Sequence, residues 1–283
     1  MTKPEEIASD KLQLEALLVS RMFLYELFHK LLGGTPSAEL LEVLTGSTTK
    51  DVLEEFGGEE GRFAGLIEFI AGLRDEDASN LLDRARDEYT RVFIGPAELP
   101  ASPYESPYTG AHDMGLFQEN TLAVRAIYLN HGFAPKRLQA VPDDHISLMC
   151  TFMAHMGMQS VEALRGNEWE ILLDSLREQK QFLDEHLVHW LGIYAGSVRN
   201  SRAGNFAVLY PQLLEALDMF VKVDADFLTE SSYWLEQARE QLPAESVDDA
   251  VPREEFEKVQ EAFDRLADMR LVGIEDNELV VLC

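Results

Sequence analysis

Apolar positions recur at three- and four-residue spacing along most of the chain, the period of amphipathic helices. Residues 5–32 read as one long helix whose buried face is Leu12, Ala16, Val19, Phe23, Leu27, Phe28 and Leu31, ended by Gly33-Gly34. Ser37 stands where it can cap a short helix running to Leu44. Residues 59–74 carry Phe63, Leu66, Ile67 and Ile70 at helical spacing, and residues 78–94 carry Leu81, Leu82, Ala85, Tyr89, Val92 and Phe93. Four more periodic stretches follow, over 111–131, 144–164, 168–195 and 204–229. Pro211 sits early in the last of these, as a kink or as part of the first turn. A final helix is expected over 253–269. Alternation suited to a strand occurs only at Glu278–Cys283, too short to define a sheet. The pattern predicts an all-α bundle of about ten helices joined by short loops.

The long non-periodic gap at 133–142 reads as a hinge loop. It divides an N-terminal helical lobe, 1–132, from a C-terminal helical lobe, 143–234, and an acidic extension follows over 235–283. A hinge of this kind permits either a monomer or a homodimer that exchanges lobes.

Between two of the helices lies a stretch with a different logic. Gly95 stops the helix, since a residue without Cβ adopts the left-handed cap at little cost. Pro96, Pro100, Pro103 and Pro107 follow, each restricting its own φ and the residue before it. The expected product is a stiff loop holding Tyr104 and Tyr108 at a set distance from Phe93. A second cluster, Pro142-Asp143-Asp144-His145-Ile146, opens the helix over 144–164. Either aspartate there can cap that helix, or Asp144 and His145 can face a groove and bond a ligand.

Glu88, Tyr89, Val92, Phe93, Gly95, Pro96, Pro103, Tyr104, Glu105, Ser106 and Tyr108 together resemble the signature of the TorD/DmsD family of cytoplasmic molybdoenzyme maturation chaperones. Val92 stands where the family usually has Leu. The second cluster, with Phe152 and Met153 further along its helix, is similar to the family's Pro-x-Asp-His-Ile motif, although Met149 and Cys150 replace its usual Glu and Leu. A third stretch, Phe182-Leu183 with His186-Leu187 and Trp190, resembles a pattern of the family's C-terminal lobe. On its own it is a core stripe with a histidine on it. The resemblance covers roughly Leu12 to Tyr233.

Composition narrows the remaining readings. A net charge of −27, with 51 acidic residues against 8 Lys and 16 Arg, disfavours nucleic acid and anionic membrane. It suits a basic partner or adaptation to high salt. No apolar run is long enough to cross a bilayer, and the polar, acidic N-terminus is not a secretory signal, so a cytoplasmic location is expected. Cys150 and Cys283 form neither a disulfide framework nor a metal motif. His186 and His189 lie one turn apart without a signposted third metal ligand. Phosphate-binding glycine motifs and the nucleophile elbow of hydrolases are both absent.

The expected function is that of a chaperone, not an enzyme. It would bind the twin-arginine leader peptide and the apo form of a molybdenum oxidoreductase catalytic subunit and assist cofactor insertion before export. The expected peptide site comprises Tyr89, Phe93, Gly95, Pro96, Tyr104, Ser106, Tyr108, Pro142, Asp144 and His145. Catalytic residues and bound metal are not expected. The resemblance implies no resident cofactor and a transient contact with molybdopterin guanine dinucleotide or GTP. The alternative is an enzyme acting on a guanine nucleotide or other small molecule in the same crease, which a turnover screen against leader binding would separate.

Overall fold

The frame is set by the first helix, α1 (Pro4–Gly33), which is too apolar to keep any face in water beyond its first half. From Leu18 to Gly33 every side of it is buried. A helix buried on every side belongs in the middle of a core, with other helices covering it. Our computed structural model describes residues 4–95, 99–109, 119–136, 141–201, 207–238, 242, 254–272 and 278–282. Around α1 stand α2 (Ala38–Leu44), α3 (Ser47–Gly57), α4 (Ala64–Arg74), α5 (Ala78–Tyr89), α6 (Ser106–Thr109) and α7 (Glu119–Asn130). They are followed by α8 (Ile146–Arg165), α9 (Trp169–His186), α10 (Leu191–Asn200), α11 (Leu209–Ala238) and α12 (Glu254–Asp268). The fold is mostly helical, with twelve α-helices among the described residues.

The main partner of α1 is α8, itself almost wholly buried. They approach closely at Gly157, where a Cβ would come within 3.3 Å of Met22 Cβ. Polar groups on a buried helix must find partners, and those of α1 do. Arg21 bonds Asp224 of α11 through Nε (2.7 Å) and Nη2 (2.8 Å), and Tyr25 donates to the same carboxylate at 2.6 Å. Arg21 Nη1 reaches Gln179 of α9 at 2.5 Å, and Gln179 goes on to Ser160 and Ser175. This network pins α1, α8, α9 and α11 to one another at the centre of the bundle.

Several sequence expectations are corrected in detail. The segment between α7 and α8, read as a hinge loop from 133 to 142, begins as a strand, β1 (Phe133–Pro135). It pairs antiparallel with β2 (Leu279–Val281), the stretch considered too short for a sheet. A single three-residue partner is enough because Phe133 and Leu279 are also buried against the helices. The helices on either side of this segment share one hydrophobic core, since α1 lies against α8. The C-terminal extension also joins that core: α12 packs on α1 with Phe263 and Leu266 buried. Lys30 Nζ donates to the Met269 carbonyl at 2.9 Å, and Thr35 N–H to that of Val272 at 2.8 Å.

The single helix expected over 168–195 is two. It breaks after His186, where the backbone N–H groups of Leu187 and Val188 both turn to the Leu183 carbonyl. The freed His186 carbonyl accepts the indole N–H of Trp190 at 2.6 Å. Residues 59–63 form turns before α4 begins, and Ser47–Gly57 is a helix of its own. Ser37 caps α2 as expected, accepting from Leu40 N–H at 3.1 Å. Pro211 lies in the first turn of α11. Residues 111–118 and 204–206 of two expected helices lie outside the described residues.

Candidate functional site

The signature begins with a buried acid. Glu88, at the end of α5, accepts the backbone N–H groups of Val208 (2.9 Å), Leu209 (2.7 Å) and Tyr210 (3.2 Å). It therefore caps α11 from a distant part of the chain, neutralising the positive end of a 30-residue helix with a carboxylate. The next residue, Tyr89, stacks on Phe93 at 4.9 Å, and both rings pack against Tyr210. Between them the chain makes a π-helical turn, Thr90–Ile94, closed by Gly95 N–H on the Thr90 carbonyl at 2.6 Å. Gly95 leaves it with φ 70°, a value that a side chain would oppose.

The proline loop then meets the start of α8. Tyr104 and His145 form an isolated β-bridge, with their rings 5.1 Å apart edge to face. Ile146 N–H donates to the Pro103 carbonyl at 3.0 Å, and Glu105 N–H to that of Asp144 at 3.1 Å. Asp144 spends its carboxylate on the loop: Ser106 N–H donates to one oxygen at 2.9 Å and Thr121 Oγ to the other at 3.0 Å. The Ser106 hydroxyl adds a further bond to it. Asp143 is held by Arg125, whose Nε lies 3.0 Å away. Neither aspartate caps α8. That role falls to His145, whose Nδ1 accepts Ser147 N–H at 3.1 Å. Burial, with His29 nearby, lowers the pKa of His145 to about 3. The ring thus stays neutral at pH 7, which keeps the Nδ1 lone pair available for the cap.

The loop is also tied to the helices that follow α8. Glu105, buried, accepts from His186 Nδ1 at 3.0 Å. Burial raises the Glu105 pKa, and the hydrogen bond from His186 opposes that rise. Tyr108 stacks on Trp190 at 5.3 Å and donates its hydroxyl to the Ser102 carbonyl at 2.8 Å. The two sequence clusters and the third stretch therefore form one assembly, in which His186 is a partner of the signature.

Exposure separates the predicted site residues into two groups. Tyr104, Tyr108, Gly95 and Pro142 are partly open. Tyr89, Phe93, Ser106, Asp144 and His145 are buried. Tyr89 and Phe93, expected in the peptide site, instead turn their faces to each other and to Tyr210. Likewise Asp144 and His145 point at the proline loop and hold it. Pro96 lies outside the described residues. Sequence reasoning missed Glu88 as a cap and Glu105 as the partner of His186. A cue existed in each case, because an acid within an apolar or proline-rich run has to find donors. Among the described residues no cluster of side chains suits a metal, and no helix is long and apolar enough to cross a membrane.

The segments that build the site also match known proteins in sequence. Residues 59–195, which include the proline loop, the start of α8 and α9, match the model of the nitrate reductase delta subunit family. The chain is 25% identical over 178 residues to a chaperone protein TorD of Vibrio cholerae, covering 62% of this chain and 74% of that one. A TorD of Shewanella piezotolerans is 21% identical over 219 residues, covering 75% and 94%. A Haemophilus influenzae protein described as a probable Tat proofreading chaperone DmsD is 30% identical over 104 residues, covering 37% and 43%. Over residues 59–195 the chain is thus similar to the nitrate reductase delta subunit family, and over comparable or longer spans to proteins named as TorD chaperones.

Proposed function

We propose that the protein binds the twin-arginine leader of a molybdenum oxidoreductase catalytic subunit at the outer edge of the proline loop. There it holds the apo subunit until its cofactor is inserted. The observation that carries this reading is the bonding of Pro103–Ser106 to Asp144–Ile146. It leaves Tyr104 and Tyr108 partly open on a loop that cannot easily move. A preorganised aromatic edge loses little ordering entropy on binding and accepts varied side chains. The net charge of −27 supports capture of an arginine-rich ligand, with an on-rate that falls as salt rises. The relatives named TorD and DmsD support the class of client. A transient contact with molybdopterin guanine dinucleotide or GTP belongs to the insertion step in this reading, with no resident cofactor.

The test is titration of a labelled twin-arginine leader against wild type, Tyr104→Ala and Pro142→Ala, all checked by circular dichroism. Partly open residues are chosen because Asp144 and His145 variants would loosen the loop itself. A loss of roughly tenfold in affinity in folded Tyr104→Ala is expected. Unchanged affinity in both variants would remove this edge as the leader site.

A further inference from the structure

A second docking surface lies away from the proline loop. The first half of α1 and the last half of α11 run beside each other with a groove of about 250 Å³ between them. Leu14, Leu17, Phe227 and Trp234 supply its apolar walls, and Asp10 and Glu230 its charged lining. Trp234 donates its indole N–H to Asp10 at 3.2 Å, which fixes one end of the groove across the two helices.

Among the described residues its lining carries two carboxylates, Asp10 and Glu230, and neither Lys nor Arg. Asp226 lies exposed next to Phe227, whereas Asp224 and Glu236 are paired with Arg21 and Arg177 and Glu15 of α1 with Arg165. Lys11 is engaged elsewhere: its Nζ lies 2.7 Å from Asn167 Oδ1 and over the Trp169 ring. An apolar slot lined by two carboxylates fits a cationic segment that inserts one bulky apolar side chain and sets an arginine or lysine on Asp10 or Glu230.

We propose that this groove binds a basic, apolar segment of the client polypeptide, independently of the Tyr104 edge. The proposal takes the chaperone reading for its partner, but none of its residues is shared with the proline loop. Two anchoring points on opposite parts of the bundle would make retention of an unfolded client stronger than either alone.

The probe is a short fluorescein-labelled peptide with two arginines followed by leucines, measured by anisotropy at low salt. All variants are built on Tyr104→Ala, which removes the proline-loop edge as a competing site for the same peptide. Asp10→Asn/Glu230→Lys in that background is compared with the background alone and with Glu68→Lys in it, which places the same substitution as Glu230→Lys on an exposed face of α4. The triple variant is expected to bind roughly tenfold more weakly than Tyr104→Ala, with Glu68→Lys/Tyr104→Ala close to it. A peptide with glutamates in place of the arginines is expected to bind the triple variant better than it binds Tyr104→Ala, which a merely misfolded variant would not show. Equal binding by Tyr104→Ala and the triple variant overturns the groove, as does an equal loss in Glu68→Lys/Tyr104→Ala. Loss of all peptide binding in Tyr104→Ala overturns it too while leaving the leader site standing.

Discussion

Replacing Glu88 with Ala removes the cap of α11 without touching any exposed surface. Three backbone donors lose their acceptor, and two of them, on Leu209 and Tyr210, belong to fully buried residues. A lost side-chain cap alone costs about 0.5–2 kcal/mol. Hydrogen bonds to a charged acceptor contribute about 1.5–3 kcal/mol each, but they are not additive when one carboxylate serves all three. The expected loss is therefore about 3–4 kcal/mol for Glu88→Ala. Glu88→Gln keeps one oxygen but turns an NH₂ group toward a backbone N–H, for about 2 kcal/mol. Urea unfolding followed by far-UV ellipticity reads this directly. With a slope of about 3 kcal/mol/M the Ala variant's midpoint should fall by about 1 M. Asp87→Ala, one residue away on the exposed side, is the control and should stay within about 0.5 kcal/mol of wild type. If Glu88→Ala costs no more than the control, Glu88 does not hold α11, and the reading of the signature's first residue as a long-range cap fails.

Two further predictions concern the same core. His29 and His145 both have pKa values lowered to about 3 by burial, against an ordinary value near 6.5, so the unfolded chain binds more protons between those limits. Stability is fully present above about pH 6.5 and falls as the pH drops toward 3. Glu105, with its raised pKa, works in the opposite direction. Thermal melts of wild type and a His29→Gln variant at pH 7 and pH 4.5 isolate the histidine contribution. The variant should lose less on acidification, and parallel losses would refute the assignment. Breaking the central ion pair with Arg21→Met should cost about 3–5 kcal/mol, because Asp224 is left buried and charged. The double variant Arg21→Met/Asp224→Leu should recover much of this in urea unfolding, and a double variant worse than the single one would contradict the argument.

Periodicity alone determined most helices of this protein, because each keeps its own apolar stripe and its own stop signal. Ser37, Gly95 and Pro211 stand in local positions that local chemistry explains. The motifs around Tyr104 and Asp144 could also be read from the chain, since their residue types and order are distinctive. What neighbouring residues could not reveal was which side chains look inward. The stripe on α1 was visible, but its burial on every side depends on α8, α11 and α12 arriving from residues far along the chain. The break between α9 and α10 rests on an indole reaching back to a carbonyl. The strand at Phe133 exists only because Leu279 comes to meet it. At the site, sequence placed Tyr89, Asp144 and His145 among ligand-binding groups because they are aromatic, acidic or titratable residues beside a loop. Tertiary structure gave them other partners: Phe93 and Tyr210, Ser106 and Thr121, Tyr104 and Ser147. A polar residue's role is set by which donors and acceptors lie within about 3 Å, and that is a property of packing between distant segments.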